Sequence, residues 1–258
     1  MKGAAGVAAL VLVSWTAGTV AVAAWTQSWG VVRRGHFRIV AWSTLVIAVL
    51  ARVAGRGLDA GAAGGWLIGL TAATIAYLVA QYLRSDMPGV VLGAIAAVVG
   101  VATLVEAATE LPAWPLALAA AELVAGALLL GAVTNGMLLG HWYLNQPGLK
   151  PWALGRLSDL CLVGVGASGA LGLVAVGKLA SAQTEGAVLG LQGFGQSFGA
   201  VFYGTWLVLL AFTGVVSWMA RRCVKIRSIQ SATGLFYVAI LTAGVSEFLV
   251  RYLMVNAT

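Results

Sequence analysis

The feature that most constrains this chain is a succession of long apolar stretches separated by short polar breaks. A helix needs about 20 mostly apolar residues to cross the hydrocarbon core of a bilayer. Arginine, glycine, proline and asparagine residues mark the breaks. The sequence therefore predicts an all-α, polytopic transmembrane helix bundle with eight spans, at 4–27, 38–55, 64–84, 88–109, 114–144, 151–180, 197–226 and 228–255.

The composition excludes the soluble alternatives. Only 9% of the residues are charged and 61% are hydrophobic, whereas a soluble domain is about 25% charged. With 15 Lys and Arg and 8 Asp and Glu residues, the chain cannot cover a water-facing surface. We expect residues 1–258 to form a single integral membrane domain, and the four-plus-four helix count divides it into halves at 1–110 and 111–258.

The basic residues predict the orientation. Eight spans place the breaks alternately on two sides, and ten of the 15 Lys and Arg residues then fall on one side. The positive-inside rule assigns that side to the cytoplasm, with both termini outside. The orientation accounts for the net charge of +7, so the charge does not indicate binding to nucleic acid. We expect the chain to lie in the cytoplasmic membrane of a bacterium, with the lipid bilayer as a partner. The ten residues are Arg33, Arg34, Arg38, Arg84, Lys150, Arg156, Arg221, Arg222, Lys225 and Arg227.

A cluster of polar side chains near the cytoplasmic ends of the fifth and sixth spans predicts a ligand site. His141 and Tyr143 end the fifth span, and Arg156 and Asp159 begin the sixth. Helices joined by a short loop pack as antiparallel neighbours, so these four side chains are expected to meet. An imidazole beside a carboxylate can donate to a quinone oxygen and relay its proton. We predict that the four residues bind a quinone headgroup, with Arg156 paired to Asp159.

Two further features bear on a cofactor. Gly136 and Gly140, on the same helix as His141, are expected to leave space for a quinone ring. His36 and His141 are weaker candidates, as axial ligands of haem b. Both histidines lie near helix ends, so the iron would sit almost at the headgroups, which makes haem the less favoured cofactor. The sequence predicts no other metal site, because its two cysteines form no metal-binding motif.

Charged residues also enter the apolar zone on the outer side. Glu247 and Arg251 are four residues apart and are predicted to pair. Glu122 has no local partner, and Arg52 would reach it if the second and fifth helices touched. Small residues four apart predict close helix packing at Gly89 and Gly93, Gly136 and Gly140, Gly166 and Ala170, and Gly195 and Gly199.

These features favour a membrane subunit of a respiratory or electron-transfer complex. It would anchor other membrane and peripheral subunits, hold a quinone near the cytoplasmic face, and not be catalytic on its own. The alternative is a small membrane transporter or channel, for which residues 181–196 would form a re-entrant segment. An intramembrane enzyme acting on lipid is a third class, and it would need the cluster around Asp159.

Overall fold

The computed structural model describes residues 3–55, 62–146, 150–180 and 198–256, and all regular structure in these ranges is helical. This confirms the all-α prediction. The helices are α1 (Gly3–Ser28), α2 (Arg34–Ala54), α3 (Ala62–Ala80), α4 (Met87–Thr109), α5 (Leu116–Asn145), α6 (Trp152–Val174), α7 (Val176–Ala180), α8 (Phe198–Lys225) and α9 (Ile229–Asn256).

Seven of the described helices are long and apolar enough to cross a membrane, so the chain is an integral membrane protein. These are α1, α2, α4, α5, α6, α8 and α9. The remaining long helix, α3, contains a shorter apolar segment, Gly64–Ala80. Its 19 residues extend over about 28 Å at 1.5 Å per residue.

The sixth predicted span ends earlier than expected. Hydropathy placed it at 151–180, but α6 ends at Val174 and the short helix α7 follows after Ala175. The apolar run continues across this point, so hydropathy gives no sign of the break. The bend carries Lys178 to the α4–α5 connection, where its Nζ donates to the carbonyl of Ala113 at 2.6 Å. The predicted loop 181–196 lies outside the described residues.

The alternate helix ends meet at one end of the bundle, which we call the arginine-rich end. Arg34 at the start of α2 pairs with Asp86 before α4, at 2.7 Å. The ring of Trp29 after α1 lies 5.3 Å from that of Trp152 at the start of α6. All ten basic residues that the sequence assigned to one side lie in or beside these helix ends.

Helix α1 lies at the centre of the bundle and packs against α2, α4, α5 and α9. Its closest approach is to α5. A Cβ atom at Gly18 would collide with the backbone carbonyl of Ala127, and one at Gly131 would collide with the backbone of Gly18. Because the two backbones touch here, only glycine fits at either position.

The predicted small-residue pairs have mixed outcomes. Gly89 and Gly93 do pack against neighbouring helices, with Gln27 and Ala24 of α1 among the atoms nearest to them. Gly166 does not, because a Cβ atom there would meet nothing within 4 Å. Residue 195 of the last pair lies outside the described residues.

Candidate functional site

The two predicted site residues at the end of α5 differ in environment. The side chain of His141 is exposed. Tyr143 is buried, and its hydroxyl donates to the carbonyl of Lys150 at 2.8 Å. That hydrogen bond closes the connection between α5 and α6, so the tyrosine hydroxyl already has a structural partner.

The two predicted site residues on α6 do not pair with each other. The guanidinium of Arg156 lies over the rings of Trp152 and Trp29, at 4.6 Å and 5.5 Å from their centroids. Asp159 instead forms an ion pair with Arg221 of α8. The predicted Arg156–Asp159 pair is therefore wrong. The indole rings hold the Arg156 guanidinium, while the packing of α8 against α6 brings another arginine to the carboxylate.

A cavity of about 340 Å³ lies between α6 and α8 at the arginine-rich end. We call it the α6–α8 cavity. Arg156 and Asp159 both line it, and His141 and Tyr143 do not. The structure thus brings two of the four predicted site residues into one cavity. The charged and aromatic side chains that line the cavity are Trp152, Arg156, Asp159, Arg221, Lys225 and Arg227.

The space predicted for a quinone ring beside Gly136 and Gly140 is filled. A Cβ atom at Gly136 would collide with the ring of Phe236, and one at Gly140 would meet the side chain of Thr233. Both of these neighbours belong to α9. The two glycines therefore serve the packing of α5 against α9, and the expectation that they leave a ligand space is wrong.

The two histidines proposed as haem ligands lie in different surroundings. His36 is 1% exposed, and its ring packs against those of Phe37 and Trp142, with centroids 5.1 Å and 6.1 Å away. Its Nε2 atom has no hydrogen-bond partner among the described residues. His141 precedes Trp142 and is exposed. The buried His36 imidazole thus packs against the rings of Phe37 and Trp142, whereas the His141 side chain is exposed at the surface.

A buried ionic cluster joins α5 and α9 at the opposite end of the bundle. Arg251 pairs with Glu247 at 2.7 Å, which confirms that predicted pair. Its Nη2 also donates to the backbone carbonyl of Glu122 at 3.0 Å, and its Nη1 lies 3.9 Å from the Glu122 carboxylate. The cation beside Glu122 is thus Arg251, where the sequence had suggested Arg52. We call these three residues the acid–arginine cluster.

The acid–arginine cluster is closed off from water. Arg251 and Glu247 are fully buried, and Glu122 is 2% exposed. Both carboxylate oxygens of Glu122 lack a hydrogen-bond partner among the described residues. A Cβ atom at Gly126 would collide with Glu247 and Arg251, so this glycine provides the room for the cluster. Gly126 lies one turn after Glu122, so the signal in the sequence is a glycine four residues after an acid in an apolar helix.

Two further buried polar contacts were not anticipated from the sequence. Gln27 of α1 and Gln81 after α3 share a hydrogen bond of 2.9 Å close to the arginine-rich end. Deeper in the bundle, Asn135 of α5 donates to the carbonyl of Thr19 in α1 at 3.1 Å. Neither contact joins residues at helical spacing, so no local pattern marks them.

Comparison of the chain with protein-family models, with curated proteins and with solved structures found no match. Within the described ranges, no group of three or more His, Cys, Asp or Glu residues has an arrangement that holds a metal ion. Two groups of charged side chains stand out among the described residues, an open cationic cavity at one end and a buried acid–arginine cluster at the other.

Proposed function

We propose that the chain crosses the membrane eight times, with both termini outside and the arginine-rich end in the cytoplasm. The support comes from α3, which runs antiparallel to α4. Thr103 of α4 donates to the carbonyl of Trp66 near one end of α3, and Gly89 faces Gln81 at the other. The 14 residue steps from Gly89 to Thr103 along α4 cover about 21 Å. With α3 counted as a span, the ten basic residues fall on one side, as the positive-inside rule requires.

We further propose that the chain is an integral membrane subunit of an electron-transfer complex, which anchors partner subunits through its arginine-rich end. The observation that carries this proposal is the charge of that end. That end carries ten basic residues but only two carboxylates, Asp86 and Asp159. Each of the two carboxylates is already paired with an arginine. Complementary charge steers and orients an acidic partner surface.

The connections at the arginine-rich end support an anchoring role. The α1–α2, α3–α4, α5–α6 and α8–α9 connections span 29–33, 81–86, 146–151 and 226–228. Segments this short do not fold into a catalytic domain, so chemistry in the aqueous phase would come from a partner. On this proposal the chain is not an enzyme by itself.

Purification in mild detergent tests the anchoring proposal. We expect Fe–S, flavin or cytochrome subunits to copurify, detected by mass spectrometry and a redox difference spectrum. The double variant Arg33→Gln/Arg84→Gln should lower their recovery, because both side chains are exposed at the arginine-rich end. Glu110→Gln, exposed at the opposite end, is the matched control. A chain that purifies only as a monomer or homo-oligomer would contradict the proposal.

The electron-transfer assignment includes a quinone site formed by His141, Tyr143, Arg156 and Asp159. All four lie near the arginine-rich end, on two helices that pack together, and two of them, Arg156 and Asp159, share the α6–α8 cavity. Replacing His141 by Ala should remove a hydrogen bond worth about 1–3 kcal/mol to the bound headgroup. Quinone-linked electron transfer should fall while the complex still assembles, and Asn145→Ala, one turn away, should leave it unchanged. Unaltered quinone reduction in His141→Ala would refute this site.

The acid–arginine cluster favours a second candidate, a small membrane transporter. Ionisable side chains inside a membrane are costly and commonly mark ion pathways. Purified chain in liposomes containing a pH-sensitive dye would then carry protons across the membrane. Glu122→Gln should abolish that flux, whereas Glu106→Gln on α4 should not. Liposomes that remain proton-tight with the wild-type chain would leave the cluster with a purely structural role.

A further inference from the structure

We propose that the α6–α8 cavity binds the phosphate group of an anionic phospholipid from the adjoining leaflet. The first ground is its charge. Arg156, Arg221, Lys225 and Arg227 line it, against the single carboxylate of Asp159. Arg221 already neutralises that carboxylate. Three cations are left to face an open volume of about 340 Å³, which favours the entry of an anion.

The backbone at Arg227 supplies an independent ground. Among the described residues it is the one non-glycine residue with a positive φ, at +59°. The N–H of Arg227 donates to the carbonyl of Val224, and that of Ser228 donates to the carbonyl of Cys223. This closure of a helix end usually places glycine at the left-handed position. The chain instead carries a long cationic side chain there, and that side chain lines the cavity.

The start of α6 adds donors to the same place. Pro151 and Trp152 line the cavity, and Pro151 precedes the first helical residue without a side-chain cap. The first N–H groups of a helix have no acceptor within the helix, and together with the helix dipole they favour an anion. This contribution supplements the cationic side chains, which carry the larger share of the attraction.

The surroundings of the cavity distinguish a lipid from a soluble anion. Asp159 lies one turn before Val163 on α6, and Arg221 lies one turn after Trp218 on α8. Val163 and Trp218 are 58% and 51% exposed on the bundle surface. The cationic groups thus lie at headgroup level, with apolar side chains one turn deeper, where acyl chains run. An anionic phospholipid with two acyl chains, such as phosphatidylglycerol, would contact the cationic groups with its phosphate and the apolar side chains with its acyl chains.

Native mass spectrometry of the purified chain with added phosphatidylglycerol or phosphatidylcholine tests the proposal. We expect selective retention of phosphatidylglycerol and a higher melting temperature in its presence. Lys225→Gln and Arg227→Gly should each weaken retention about fivefold, the effect of one cation at a lipid surface. Arg222→Gln, on the same helix but outside the cavity lining, is the matched control and should retain the lipid normally.

Arg227→Gly separates lipid binding from folding, because glycine adopts the left-handed conformation more easily than arginine. Its melting temperature in phosphatidylcholine should not fall, while its retention of phosphatidylglycerol should.

Equal retention of both lipids, or normal retention by Lys225→Gln and Arg227→Gly, would overturn the proposal. Equal stabilisation by inorganic phosphate would replace the lipid with a free anion. Loss of a bound acidic protein with lipid retention unchanged would assign the cavity to a protein partner. The proposed quinone site shares Arg156 and Asp159 with this cavity, but the variants tested here, Lys225→Gln and Arg227→Gly, change neither of them. The isolated chain also carries no partner subunit, so a failed lipid test leaves the electron-transfer proposal standing.

Discussion

Gly18 and Gly131 set the distance between the two most central helices. Each lies where a side chain would run into the backbone of the opposite helix. A flexible side chain can turn away from such a collision, but a backbone segment in a helix cannot. These two positions therefore tolerate a larger side chain less well than most other glycines that the structure describes.

We predict that Gly131→Ala lowers the free energy of unfolding by about 1–3 kcal/mol, the usual cost of overpacking a well-packed interior. The melting temperature in detergent, followed by fluorescence-detected size exclusion, measures the effect. Gly166→Ala is the matched control, because its Cβ atom would meet nothing within 4 Å and alanine is the better helix former. Equal melting temperatures for the two variants would count against backbone contact at the α1–α5 crossing.

At Arg227 we predict that a substitution stabilises the protein. Replacing it by Gly should raise the free energy of unfolding by about 1–2 kcal/mol, because a left-handed conformation costs that much for a residue with a Cβ atom. Arg227→Lys keeps the Cβ atom and should leave the stability unchanged. A decrease in the melting temperature of Arg227→Gly in detergent would show that the side chain holds the α8–α9 turn together.

Residue patterns predicted some of these positions and not others. Gly89 and Gly93 belong to a four-residue repeat of small residues, and they do pack against neighbouring helices. Gly166 belongs to the same kind of repeat and faces open space. A helix that is apolar on all sides gives no sign of which face meets protein and which meets lipid, so spacing alone cannot separate the two cases.

The acid–arginine cluster joins α5 to α9. Removing only the cation leaves buried carboxylates without compensation, which typically costs 3–5 kcal/mol. Replacing a whole buried ionic group by apolar side chains of similar volume is often neutral or stabilising. The two kinds of substitution therefore distinguish an uncompensated charge from a loss of packing.

We predict that Arg251→Leu destabilises the protein by about 3–5 kcal/mol and that the triple variant Glu122→Leu/Glu247→Leu/Arg251→Leu recovers most of the loss. Melting temperatures of the purified variants in one detergent provide the comparison. A triple variant as unstable as Arg251→Leu would mean that the shape of the cluster, and not its charge balance, holds α5 and α9 together.

Of the two ion pairs predicted within one helix, Glu247–Arg251 forms and Arg156–Asp159 does not. Glu247 and Arg251 lie four residues apart, so helical geometry alone places them together. Asp159 finds its partner on α8, at Arg221. That choice depends on α8 packing beside α6 and on the indole rings that hold Arg156. The four-residue spacing of Trp152 and Arg156 along α6 is visible in the sequence, but the packing of α8 beside α6 is not.

If the chain crosses the membrane eight times, the connections before α2 and before α4 lie on the same side. In a background with Cys161 and Cys223 replaced by Ser, Ser28→Cys and Ser85→Cys should react with a membrane-impermeant maleimide from the cytoplasm. Glu110→Cys should react from outside. The two serines precede α2 and α4, so they share a side only if α3 crosses. Labelling of Ser28→Cys and Ser85→Cys from opposite sides would reduce the count to seven spans.

The position of α1 has a consequence for biosynthesis. This helix is the most enclosed of the candidate spans, because 78% of the residues in its most apolar segment are buried. Yet its contact from the Thr19 carbonyl to Asn135 must wait for 116 further residues, roughly 6–23 s of synthesis at about 5–20 residues per second. Until then, Trp15 and Gly18, which contact α5 in the folded chain, face lipid or the insertion machinery. Slowed insertion of α5 would therefore expose α1 first to the proteases that survey nascent membrane proteins.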